Sequence, residues 1–175
     1  VFIMIVFLAD LFGPNPFRSF FSNYERMEGF MMMFHLYLYF VMLVSVFKTR
    51  GDWLTFMHVS LIVSLVVSFV GLLQKFGLRV SLQGGYRIDS TIGNPAYLAA
   101  YTSLHMWMLL LLLKMFWKNW ALRFFYAAAF IFEAVIVYFT ATRGAILADI
   151  MGIILLLALG VIYWRKMFSG HLAYR

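Results

Sequence analysis

The chain has 175 residues, 65% of them hydrophobic and only 12% charged, with a formal net charge of +7 and no cysteine. A soluble domain of this length carries about 25% charged residues, so an ordinary water-soluble fold is excluded. The lack of cysteine excludes disulfides, thiolate nucleophiles and Cys-based metal sites. His35, His58, His105 and His171 are far apart and match no metal-ligand spacing. The positive charge lies in short connections between apolar runs, where membrane topology places it, so no nucleic-acid partner is read from it.

Apolar runs near 20 residues match a hydrocarbon core about 30 Å thick. The first, Val1 to Phe12, would span only about 18 Å as a helix. It lacks the basic flank of a signal peptide and follows no Met, so it is expected to be a helix cut by an incomplete reading frame. Next comes "PFRSFFSNYERMEG", too aromatic for a purely solvated loop. Ser22 and Glu25 in it match a capping box, which predicts a helix start feeding the following span. Five further runs are expected to cross, at about 30–47, 53–73, 96–113, 124–142 and 145–164. The expected architecture is therefore an all-α polytopic transmembrane bundle of about six spans, the first truncated. Two longer loops, 13–29 and 74–95, should fold back on the membrane face. No internal repeat or linker is visible, so residues 1–175 read as a single transmembrane domain.

The Lys/Arg bias sets the orientation. Lys48, Arg50, Lys114, Lys118, Arg123, Arg165, Lys166 and Arg175 fall in one set of connections. Arg18, Arg26, Lys75, Arg79, Arg87 and Arg143 fall in the other, with Glu25, Glu28 and Asp89. The first set is compact and basic and is assigned to the cytoplasm, which places the two long loops outside.

Within the second long loop, Asn94-Pro95 predicts a helix start. Asn is a strong N-cap, and Pro fits the first helical position, where its missing N–H is no loss. The helix start also offers positive partial charge to an anion. Gly93 lets the backbone come close, and Arg87 adds charge. Farther on, "FTATRGAILADI" places Arg143 at a tight turn; it either snorkels to the headgroups or serves a site. Gly144, Ala148 and Gly152 recur every four residues as a close-packing seam. Asp149 beside it is expected to have a buried ion-pair or hydrogen-bond partner, with a direct catalytic role as the alternative. Glu133 lies deeper, where a protonated, hydrogen-bonded carboxyl is the default and a proton relay or ion-coupling role the alternative.

Tyr97, Tyr101 and His105 form an i, i+4, i+8 stripe, either aromatic belt and packed histidine or a groove for a sugar or lipid. Ser60, Ser64 and Ser68 form another, read as helix packing. Arg26, Arg87 and Arg143 come from three elements of one rim. Their planar, permanently charged forks match phosphate oxygens, so together they suggest recognition of a di-anionic group such as a lipid-linked pyrophosphate. Arg26 has a second reading, a local pair with Glu25 or Glu28.

"ERMEG" (25–29), "RIDSTIGNPAYLAAY" (87–101) and "TATRGAILA" (140–148), in that order, resemble the bacterial O-antigen ligase and polymerase superfamily. That family shows an Arg followed by G-N-P-N-x-L-A and later T-x-S-R-G-A. The resemblance covers about residues 22–164. Each motif is short; the ordered set with apolar spans between carries the likeness. Ala96 stands where the family has its second Asn, and Thr142 where it has Ser; Thr keeps the hydroxyl, Ala loses a polar group.

The resemblance implies a metal-independent glycan transfer, without cofactor, on the outer face of the bacterial plasma membrane. The donor would be a glycan on polyprenyl (undecaprenyl) pyrophosphate, and the acceptor a hydroxyl of lipid A core, a glycan or a protein. Arg26, Arg87 and Arg143 would bind the pyrophosphate, supported by Gly93, Asn94, Tyr97 and Thr142. The family's proposed base is a histidine in an external loop beyond the last helix here, so the catalytic residue would lie outside this chain and the chain alone would be inactive. The competing reading is a transporter or flippase-like protein for an anionic, lipid-linked substrate.

Overall fold

The computed structural model describes residues 1–23, 28–81 and 86–172, and of residues 163–172 the helical backbone alone. The described residues form seven helices and no strand: α1 (Phe2–Leu11), α2 (Pro16–Phe21), α3 (Phe30–Val46), α4 (Arg50–Lys75), α5 (Pro95–Met115), α6 (Trp120–Phe139) and α7 (Arg143–Leu172). The all-α architecture is as expected. Among the described residues four helices are long and apolar enough to cross a membrane: α4, α5, α6 and the Arg143–Ile162 part of α7. The chain is a membrane protein. The other two expected runs hold shorter apolar helices: α1, and α3, whose 17 residues reach about 26 Å, at the lower limit for a crossing helix.

The residues group into two compact units, Val1–Phe56 and Met57–Arg175. In the first, α2 opens on Asn15-Pro16, with the Asn15 side chain accepting from the Arg18 N–H. This is the same Asn-Pro signal that begins α5. Phe7, Phe20 and Phe30 meet as an aromatic trio, with centroids 5.2–5.6 Å apart, which folds the segment after α1 back as its aromatic content suggested. Ser22 corrects one expectation. It closes α2 at a positive φ of 58°, its N–H donating to Arg18 O, while Gly29 caps α3. Ser22 therefore opens no helix, and its capping-box partner Glu25 lies outside the described residues.

In the second unit the helix ends are chemically defined. Gly77, at φ 73°, lets the Leu78 N–H reach Leu73 O at 2.9 Å and closes α4 in a Schellman turn. Asn119 accepts from the Ala121 and Leu122 N–H groups, starting α6 four residues before the expected 124. α6 ends at Phe139 because Thr140 and Ala141 turn the chain, Ala141 at φ 51°.

Beneath the 86–94 loop, Ile88, Leu98 and Ile136 form a buried cluster flanked by Val67, Leu72, Ile92, Phe132 and Phe139. Ile88 is the loop's anchor. Gly71 makes room for it, since a Cβ there would stand 3.3 Å from Ile88 Cδ1.

Candidate functional site

The site is built where the 86–94 loop, the start of α5 and the α6–α7 turn meet. Asn94 caps α5 as expected: its Oδ1 accepts from the Ala96 N–H at 2.8 Å, with Pro95 in the first turn. Gly93 stands at φ 76°, a conformation that favours glycine, and its N–H donates to Asp89 O.

Gln74 at the end of α4 holds the loop from below. Its Oε1 accepts from the Asp89 and Ser90 N–H groups, and its Nε2 donates to Asp89 Oδ1 at 2.9 Å. Ser81 donates to the other Asp89 oxygen, Oδ2, and Ser90 Oγ donates to Val67 O at 2.6 Å. These bonds account for a buried carboxylate and a buried turn at once.

Arg87 emerges from this platform toward the α6–α7 turn. Its Nε donates to Thr140 O at 2.8 Å and its Nη2 to Thr142 Oγ1 at 3.1 Å. Thr142 Oγ1 in turn donates to Pro95 O at 3.3 Å. One hydroxyl therefore ties the arginine loop, the first turn of α5 and the start of α7. A serine would offer the same hydroxyl, so Thr142 in place of Ser costs nothing in this network.

Arg143 follows in the first turn of α7, exposed, and lines a cleft of about 490 Å³ with Lys75, Tyr86, Tyr138 and Ile146. An adjoining cleft of about 420 Å³ is lined by Gln74, Lys75, Arg79, Tyr86 and Arg87. Lys75 and Tyr86 belong to both clefts, and the Lys75 ammonium lies 5.0 Å above the Phe139 ring. Four cations thus surround the two clefts, while the loop's buried acid, Asp89, bonds inward to Gln74 and Ser81. Such an arrangement attracts anions and concentrates them at the rim.

Of the expected site residues, Arg87, Arg143, Gly93, Asn94 and Thr142 come to this rim. Tyr97 lies on the exposed side of α5 at 59% exposure and makes none of the bonds above. Arg26 lies outside the described residues. Lys75 and Arg79 were missed as site residues; the signal for them was their place in the same long loop set as Arg87.

A second polar constellation lies deeper, between α4, α5 and α6. Glu133 is fully buried; Ser64 Oγ donates to its Oε1 at 2.7 Å and Ser68 Oγ to its Oε2 at 2.6 Å. Ser60 Oγ meets His105 Nε2 at 2.9 Å, and His105 Nδ1 lies 2.8 Å from Tyr101 O. The serine stripe is thus a set of polar partners, not the plain packing surface expected. Asp149 has the partner expected for it, Ser103, at 2.7 Å.

No family model, curated protein or solved structure matches the chain.

Proposed function

We propose that the chain is the membrane part of a glycan transferase of O-antigen ligase type. It would move a glycan from polyprenyl pyrophosphate to a hydroxyl of lipid A core, a glycan or a protein, at the outer face of a bacterial plasma membrane. The observation that carries the reading is the Arg87–Thr142–Pro95 linkage. It joins the second and third of the motif segments at one cation-lined rim.

Two adjoining clefts bordered by Lys75, Arg79, Arg87 and Arg143 suit a group with two phosphates. Fixed cations there would stabilise the charge that develops on the pyrophosphate as it leaves, the kind of preorganised electrostatics that dominates many enzymes. Arg87, with two bonds to the α6–α7 turn, sets the geometry, while Arg143 and Lys75 supply exposed charge.

The test is lipid binding by the chain in nanodiscs, with undecaprenyl pyrophosphate against undecaprenol. The pyrophosphate should bind more tightly. Arg143→Ala should weaken it by roughly tenfold, the effect of about 1.4 kcal/mol of lost charge-assisted bonding, without changing thermal stability. Equal affinity for both lipids would overturn the reading.

A second reading, a transporter for an anionic lipid-linked substrate, draws on the deep Glu133 cluster, because intramembrane carboxylates mark ion pathways. Under that reading Glu133→Gln abolishes movement of substrate; under the first it leaves glycan transfer nearly unchanged.

A further inference from the structure

Glu133 lies six residues before the end of α6, roughly 9 Å below that helix end. It is completely buried in a crossing helix. A carboxylate taken from water to such a place needs either a cation or a proton. The two groups that bond its oxygens are both neutral hydroxyls, Ser64 and Ser68. One turn along the same face of α4, Ser60 meets the imidazole of His105.

The titratable groups around it come from each packed element. α4 supplies serines at this level, with His58 nearer the other end and bonded to Tyr126 of α6 at 2.7 Å. α5 supplies His105 and, ring against ring with it at 4.4 Å, Tyr101. α7 supplies Asp149, which is bonded to Ser103.

The bonding pattern fixes where a proton can be gained or lost. His105 Nδ1 faces a backbone carbonyl, Tyr101 O, which accepts only, so that nitrogen carries a hydrogen in either charge state. The hydrogen that decides the charge of His105 is therefore the one on Nε2, against Ser60 Oγ. On Glu133 it is the one on Oε1 or Oε2, against Ser64 or Ser68.

A serine hydroxyl donates or accepts by turning about one bond, and when it accepts it finds a carbonyl one turn back on its own helix. Each of the three serines can therefore satisfy its partner whether or not that partner holds the proton. Lys or Arg in their place would fix one state. Serines at i, i+4 and i+8 permit two without repacking the helices.

We propose that Glu133 and His105 form an intramembrane proton-binding site that holds one exchangeable proton between α6 and α5, with Ser60, Ser64 and Ser68 of α4 as partners that serve either protonation state. Gain or loss of that proton makes or breaks only the O–H or N–H bond that holds it. The site is separate from the cationic rim and stands whether or not the rim binds pyrophosphate.

The experiment is a pH titration of the whole chain in nanodiscs, followed by the infrared carboxyl and carboxylate bands with ¹³C-labelled glutamate. A carboxyl signal should titrate in the wild type and vanish in Glu133→Gln. His105→Gln should move its midpoint by roughly tenfold or more in proton concentration, as loss of a neighbouring charge does. Should Glu133→Gln fail to fold, the double variant Glu25→Gln/Glu28→Gln leaves Glu133 as the sole glutamate and gives its signal directly. A Glu133 signal that stays constant wherever the chain is folded, or a midpoint indifferent to His105→Gln, overturns the proposal.

Discussion

Arg87 and Arg143 read alike in the sequence, each an arginine in a polar break between apolar runs, yet they meet different surroundings. Arg87 donates to Thr140 O and Thr142 Oγ1, while Arg143 is exposed at the start of α7. Removing Arg87 strips the α6–α7 turn of two bonds, so Arg87→Ala should lower unfolding stability by about 1–3 kcal/mol. Arg143→Ala should stay within about 0.5 kcal/mol of wild type. Reversible unfolding in mixed detergent micelles separates the two. At the same turn, Ala141 holds φ at 51°, where a Cβ is strained; Ala141→Gly should raise stability by about 1 kcal/mol in the same assay. None of this is visible locally. The residues that Arg87 bonds are more than fifty positions away in the chain.

At the scale of elements, the signals that survived were those whose physics is local. Asn94-Pro95 started α5, because a side chain two residues away supplies the cap. Asn15-Pro16 and Asn119 use the same chemistry for α2 and α6. The small-residue seam on α7 was legible as spacing but not as contact. A Cβ on Gly152 would run into the Trp107 indole, whereas one on Gly144 would meet nothing within 4 Å. Gly152→Leu should therefore destabilise the α5–α7 contact by about 1–3 kcal/mol. Gly144→Ala should stabilise α7 by up to about 1 kcal/mol through helix propensity. Thermal unfolding of the two variants, with tryptophan emission as the probe for Trp107, checks both.

At the scale of the molecule, the four crossing helices alternate in direction, so the 86–94 loop and the 116–119 connection fall at opposite ends of the second unit. A chain without cysteine is a clean background for testing this. Tyr86→Cys and Trp117→Cys, at exposed positions, should each react with a membrane-impermeant maleimide from one side only, and from opposite sides. Labelling of both from the same side would require a different path through the bilayer.

The sequence by itself determined that this is a helical membrane protein and roughly where its helices lie, because hydropathy, caps and turn glycines act over a few residues. It grouped Arg26, Arg87 and Arg143 at one rim, and the family resemblance added Gly93, Asn94, Tyr97 and Thr142. Only the tertiary structure decided which of these bond one another and added Lys75 and Arg79 to the rim. It alone turned Ser60, Ser64 and Ser68 from a packing stripe into partners of His105 and Glu133. The physical reason is the same in each case. A hydroxyl on a helix looks like a small packing residue until the group it faces, supplied by a helix 45 to 69 residues away in the chain, is known.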